Sequence, residues 1–268
     1  MAEFDFESQS WLAVALGNSR NHWVQFESGA IAAWGHSRHL RATETEVSLS
    51  NLPWWSYLSP EVPLVVASVV PKQWQRLQEH LPPKTRIYNL GIVSLPLGGV
   101  YPGFGLDRGL AALGAGQRWG FPLLLIDGGT ALTFTGFDEG RSLVGGAILP
   151  GVALQYRAVV EGTALDDTGG IMGADLPSRW ALETGEAIRS GILYTLLAGV
   201  EQFIQQWQQR FPESAIVLTG GDGARLAAGL EAIAPQVAAQ VVLDEEALFW
   251  GMAAMVGQLD VTRRGDRS

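Results

Sequence analysis

Three short glycine-rich turns are the places in this 268-residue chain where backbone N–H groups can close on an anion. Gly17-Asn18-Ser19, followed by Arg20 and Asn21, and Gly128-Gly129-Thr130 each combine small residues with a hydroxyl. With no Cβ in the way, such a turn lets the main chain approach phosphate oxygens. Taken singly, each is also an ordinary hairpin turn. Thr219-Gly220-Gly221-Asp222-Gly223 joins an apolar run to a helical pattern, so its N–H groups fall at a helix N-terminus. No Gly-x-x-x-x-Gly-Lys-Ser/Thr sequence occurs, and three such loops point to a nucleotide site that is not a P-loop.

Two carboxylates stand where chemistry could use them. Asp127 ends an apolar run, a costly place for a carboxylate unless a cation answers it. Asp107 follows Gly105 and Leu106 at the start of a helical pattern, next to Arg108. The helix dipole stabilises negative charge there and suits a proton acceptor; a plain helix cap accounts for the same placement. For Arg108 the ordinary alternative is a surface ion pair, and for Thr184 a hydroxyl bonded to the preceding turn. The four histidines have no metal-ligand spacing.

The elements that must carry these groups alternate between strand and helix. Apolar runs predict strands at 12–16, 22–26, 30–34, 63–70, 86–90, 122–126, 130–137, 142–148, 215–218 and 237–243. Helical spacing predicts helices at 71–81, 107–119, 150–160, 179–211, 223–233 and 245–256. In the 179–211 helix, Leu182, Ile188, Ile192, Leu196, Val200 and Phe203 share a stripe. Residues 35–60 read as loop with one short helix, and the tail from 262 as frayed.

An offset of 112 residues lays the run 12–19 on 124–130, placing Gly17 on Gly129 and Ala15 on Asp127. Each copy continues as strand, acidic-glycine turn, strand. This predicts a duplication: an α/β chain of two related lobes, 1–115 and 116–268, with a cleft between them.

Composition narrows the partners. At 47% hydrophobic and 17% charged the chain folds rather than staying disordered. The absence of cysteine excludes disulfides, thiolate zinc and a thiol nucleophile. A net charge of −9 argues against nucleic acid, and no apolar run reaches the ~20 residues of a membrane span. The N-terminal MAEFDFESQS is unlike a signal peptide, so the expected location is cytoplasmic, with no membrane partner.

Asp127-Gly128-Gly129-Thr130-Ala131 followed by Gly145-Gly146-Ala147-Ile148-Leu149-Pro150-Gly151 resembles the second phosphate loop of type III pantothenate kinases. Ser68-Val69-Val70-Pro71, Gly105-Leu106-Asp107-Arg108, Thr184 to Gly191 and the segment from Asp244 to Gly251 match that family in order. The resemblance spans residues 12 to about 252. It implies duplicated ribonuclease H-like domains of the actin/hexokinase/chaperone-ATPase superfamily, with the nucleotide in the interdomain cleft. The implied activity is ATP-dependent phosphorylation of pantothenate, with Mg²⁺ and a monovalent cation, K⁺ or NH₄⁺, in a homodimer. Residue by residue, it makes Asp107 the proton acceptor and Asp127 the ligand of the monovalent ion. Gly17, Asn18, Ser19 and Thr130 become the nucleotide contacts, and by their own chemistry Arg20 and Asn21 add donors that could meet phosphate oxygens directly. Tyr101, Gly105, Leu106, Asp107, Arg108 and Thr184 become the pantothenate contacts, and the helix at 179–211 the candidate dimer face.

Two positions depart from the pattern. The family's first loop resembles Asp-x-Gly-Asn-Thr, whereas this chain has Ala15-Leu16-Gly17-Asn18-Ser19. Loss of that carboxylate leaves a second reading: a catalytically degenerate homologue serving as a binding or regulatory accessory protein. Tyr101 also stands closer to Gly105 than the family's substrate-lining tyrosine does.

Overall fold

The strand Trp11–Leu16 (β1) is buried at every position, as a strand covered on both faces must be. It pairs antiparallel with Asn21–Glu27 (β2), which turns through Ser28 (φ +49°) and Gly29 (φ +76°) into Ala30–Ser37 (β3). Two successive positive φ values match the twist of a tight hairpin. On its other side β1 runs parallel to Leu64–Ser68 (β4), and β4 to Ile87–Leu90 (β5), giving the order β3-β2-β1-β4-β5. The helix Pro71–His80 (α1) connects β4 to β5, with proline at its start where no N–H is needed.

After Leu106–Trp119 (α2) the pattern repeats. Leu123–Gly128 (β6), Ala131–Phe137 (β7) and Leu143–Pro150 (β8) form an antiparallel meander. The helices Val152–Gly162 (α3) and Thr184–Arg210 (α4) lead to Ala215–Thr219 (β9), parallel to β6. Gly223–Ile233 (α5) and the single turn Pro235–Ala238 (α6) precede Val241–Leu243 (β10), and Ala247–Gly265 (α7) closes the chain. The second sheet has the order β8-β7-β6-β9-β10, the first sheet's order and strand directions over again. These are duplicated ribonuclease H-like α/β domains. The computed structural model describes residues 4–40, 51–165 and 175–265.

Packing divides the chain into two compact units: Met1–Pro96 with Tyr101–Gly114 and Leu248–Ser268, and Leu97–Val100 with Ala115–Ala247. A boundary at 115 counts α7 with the second half, whereas packing counts it with the first. There Trp250 meets Phe26 edge-on at 5.6 Å, and Phe249 lies 6.2 Å from Trp34. The first core gathers Leu12, Val14, Trp23, Trp54 and Leu77; the second gathers Ile126, Phe134, Leu196, Val200 and Leu230. Among the described residues no helix is long and apolar enough to cross a membrane.

The structure corrects four readings of the sequence. The long helix begins at Thr184, not 179, and Leu182 lies outside it, 100% exposed, rather than on the stripe. Ile192, Leu196 and Val200 are buried in the second unit's own core, so they do not form an exposed dimer face. The stretch 237–243 is not one strand: Pro235 starts a helical turn that buries Val237, and pairing begins only at Val241 opposite Ile216. The closing helix runs on to Gly265, nine residues past 256, and so takes in the start of the expected frayed tail. The short helix expected within 35–60 appears as a 3₁₀ turn at Trp55–Tyr57, and residues 41–50 and 266–268 lie outside the described residues.

Candidate active site

In the first unit the turn at 17–20 follows a strand with no polar side chain, and Asn18, Ser19 and Arg20 stand exposed at its tip. The Gly17 N–H bonds the Arg20 carbonyl at 3.2 Å, and a Cβ on Gly17 would lie 3.0 Å from that oxygen. A side chain there would crowd that carbonyl, so glycine suits the closed turn. Asn21 is turned inward, 1% exposed, and its Nδ2 donates to the Arg38 carbonyl at 3.0 Å. Its side chain anchors the turn rather than reaching out of it.

His22 opposes Ala15 on β1 and His36 on β3, so the three side chains share one face of the sheet. Burial, then the Arg20 charge, then His36 lower the His22 pKa from 6.5 to about 4. The unfolded chain thus takes up this proton first as pH falls. Stability from the neutral ring is whole above pH 6.5 and is lost as pH drops towards about 4. His22→Gln is expected to flatten the decline of melting temperature across that window; an unchanged profile would remove His22 as its source.

Asp107 lies half-buried in the first turn of α2, and its Oδ1 accepts the Arg108 N–H at 2.9 Å. A Cβ on Gly105 would press on the same oxygen at 2.6 Å, which explains a glycine there. Arg108 is only 8% exposed. Its guanidinium lies 4.7 Å over the Phe104 ring, and Nη1 donates to the Tyr101 hydroxyl at 3.3 Å. Tyr101 meets Phe104 edge-on at 5.5 Å and is itself 50% exposed. The short spacing from Tyr101 to Gly105 thus lets the phenol hold the arginine. The cluster sets a fixed cation beside a carboxylate, a pairing suited to an acidic substrate and its hydroxyl proton.

In the second unit the loops after β6, β8 and β9 pack backbone on backbone. The Asp222 N–H bonds the Gly128 carbonyl at 2.7 Å, and the Gly151 N–H bonds the Thr130 carbonyl at 2.9 Å. Gly220 has φ +88°, and a Cβ there would run into the Asp127 carboxylate and into Gly128 backbone atoms at 2.8 and 2.9 Å. Asp127, one residue before the end of β6, is in register with Thr219 of β9. Asp222 precedes α5 and pairs with Arg225 at 2.6 Å. Thr130 is exposed at the tip of its turn, and Thr184 is exposed at the first residue of α4.

The residues expected to act therefore fall into local groups. Residues 17–21 form one, Tyr101, Asp107 and Arg108 a second, and Asp127, Thr130 and Gly220 a third. Thr184 lies exposed at the head of its helix. His39, whose Nε2 donates to the Gly17 carbonyl at 2.7 Å, was not legible in the sequence. No local pattern signals a bond across 22 residues. Among the described residues no three His, Asp or Glu side chains gather into a metal cage. The Asp127 carboxylate offers the hard, anionic oxygen that suits a cation such as K⁺.

A family model for type III pantothenate kinase matches residues 11–206. The Nostoc sp. protein named type III pantothenate kinase is 39% identical, covering 92% of this chain and 94% of its own. The Synechocystis sp. protein of the same name is 41% identical, covering 93% and 91%. Among solved structures, the activator of the 2-hydroxyisocaproyl-CoA dehydratase from Clostridium difficile, with bound ADPNP, superposes with a TM-score of 0.53. It covers 97% of both chains at 11% identity, a likeness of fold.

Proposed function

The chain belongs to the type III pantothenate kinase family, and we infer from this that it transfers the γ-phosphoryl group of ATP to pantothenate. The product is 4′-phosphopantothenate, in the first step of coenzyme A biosynthesis. The observation that carries the reading of the site is the Tyr101–Arg108–Asp107 cluster. Its buried guanidinium suits the pantothenate carboxylate, and its half-buried carboxylate suits the hydroxyl proton.

In this reading Asp107 accepts the proton as the pantothenate hydroxyl attacks the γ-phosphorus. The bond from that phosphorus to the β–γ bridging oxygen breaks, and ADP leaves. Gly105, Leu106 and Tyr101 shape the position of the substrate around Arg108, and Thr184 adds a hydroxyl. The N–H groups of Asn18 and Ser19, the Arg20 guanidinium and Thr130 take the phosphates, while Gly17, whose own N–H closes the turn, and Asn21 hold the first loop in shape beside them. Asp127 would hold the monovalent ion, K⁺ or NH₄⁺, and Mg²⁺ would come with the nucleotide; when bound, both would neutralise charge on the phosphates. As halves of a duplication the lobes are 1–115 and 116–268. We place the reaction in the cytoplasm, where ATP is available. We assign a homodimer contact to the exposed Trp180 (86%) and Leu182, which lie just ahead of α4.

The deciding assay follows phosphorylation of pantothenate by ATP and Mg²⁺ in K⁺, NH₄⁺ or Na⁺. The expected result is turnover in all three salts, faster in K⁺ and NH₄⁺, with the difference abolished in Asp127→Asn. Equal rates in all three salts would remove the monovalent ion from Asp127. Binding of both substrates without turnover would favour the accessory-protein reading that Ala15 leaves open.

A further inference from the structure

The turn at 17–20 is fastened from far along the chain. His39 Nε2 donates to the Gly17 carbonyl at 2.7 Å, and Asn21 Nδ2 donates to the Arg38 carbonyl at 3.0 Å. Both ends of the turn are thus tied to residues 38 and 39. That segment is tied in its turn. The Leu40 N–H donates to Gln73 Oε1 at 2.9 Å, and Gln73 Nε2 donates back to the Leu40 carbonyl at 3.1 Å. Arg76 Nη1 adds a second bond to the same carbonyl at 2.9 Å.

Gln73 is 6% exposed, in the first turn of α1. A buried amide with both ends bonded to one residue's backbone is a link of fixed length, and breaking it strands polar atoms out of water. The helix that carries it starts at a defined place. The Val69 N–H bonds the Leu16 carbonyl at 3.1 Å, and Ser68 Oγ accepts the Val70 N–H at 3.2 Å. The Ser68-Val69-Val70-Pro71 segment therefore docks α1 on the strand that leads into the turn, and α1 holds residues 38–40 against the turn itself.

We propose that residues 38–40 are a strap that sets the shape of the first phosphate loop, with Gln73 as its anchor and His39 as a positioning residue for ATP. The proposal rests on the reading of residues 17–20 as a phosphate loop. A turn of Gly, Asn, Ser and Arg has little side-chain packing of its own and would otherwise lose conformational freedom each time ATP bound. The strap incurs that cost once, during folding.

The test compares His39→Ala, His39→Gln, Gln73→Leu and Arg20→Ala by steady-state kinetics and by amide hydrogen exchange at residues 17–21. The strap predicts that His39→Ala and Gln73→Leu raise KM for ATP about five- to tenfold, as loss of one positioning hydrogen bond would. KM for pantothenate stays unchanged, and exchange at 17–21 quickens. His39→Gln keeps a donor and recovers most of the lost affinity, which a merely structural role would not require. Arg20→Ala reports on the phosphate-loop reading itself. If it raises KM for ATP while His39→Ala and Gln73→Leu do not, the strap is overturned and the loop reading stands. If Arg20→Ala leaves KM for ATP unchanged, the loop reading falls and the strap's function with it. Should Gln73→Leu fail to fold, His39→Ala with its glutamine rescue decides the matter alone.

Discussion

Asp107→Asn is expected to lower turnover by about 10²–10⁴-fold while pantothenate still binds, the range a positioned general base contributes. The substitution keeps the shape of the side chain and an oxygen for the Arg108 N–H, so the bond at 2.9 Å has no reason to be lost. Asparagine removes the negative charge and with it the ability to take a proton. The Arg108 guanidinium stays seated on Phe104 and Tyr101, and with it the group proposed to bind the substrate's carboxylate. A residue whose role is to start a helix predicts the opposite, because asparagine serves that role about as well as aspartate. The two readings separate in one experiment: KM for pantothenate, kcat and the melting curve of the same protein. A folded Asp107→Asn variant with near-normal kcat would refute the proton-acceptor assignment.

Gly220→Ala is the second large effect, and it acts on the other group of loops. At φ +88° a side chain costs about 1–2 kcal/mol by itself. The added methyl also presses on the Asp127 carboxylate and on the Gly128 backbone, and the backbone cannot swing aside as a side chain can. Forcing such neighbours apart costs typically about 1–3 kcal/mol more. The expected loss is about 2–5 kcal/mol of stability, together with a rise of about tenfold or more in KM for ATP as Asp127 is displaced. Gly199→Ala is the matched control. It lies inside α4 with nothing within 4 Å of a new Cβ, and there alanine stabilises by up to about 1 kcal/mol. Parent-like melting and KM for Gly220→Ala would mean that the close approach of the β6 and β9 loops is not required.

Much of the architecture is written locally. The β1, β4, β6 and β9 segments are short apolar runs between turn residues, and a window of a few residues reveals them. The helix at Gly223–Ile233 begins after Asp222 and keeps its spacing, so its bounds agree with the pattern to the residue. The repeat offset of 112 was legible because two strand-turn-strand units use the same residue classes, and both sheets carry the same strand order. The glycine loops and the Gly105 to Arg108 motif were legible for a related reason. Close backbone approach admits only glycine, and charge beside a helix start is visible in the sequence.

Other features depend on partners distant in the chain. The residues 179–183 carry apolar and polar types that suit a helix, yet helix starts only at Thr184. The segment before it is held instead by Ser190 Oγ on the Arg179 carbonyl at 2.8 Å and by Tyr194 on the Pro177 carbonyl at 3.1 Å. Val237 looks like the start of a strand, but its burial is in a helical turn set by Pro235. Asn21 reads as an exposed donor until Arg38 takes its amide, and His39 and Gln73 carry no signal at all.

By itself, then, the sequence determined the strand and helix types, the duplication, the family, and the residue types available for phosphate, carboxylate and proton. Each of these follows from backbone preference or side-chain chemistry acting within a few residues. Only the tertiary structure decided that Tyr101 grips Arg108, that α7 packs with the first unit, and that the first loop is strapped through Leu40 to Gln73. Those outcomes depend on hydrogen bonds and ring contacts whose partners become neighbours only when the sheets and helices have packed.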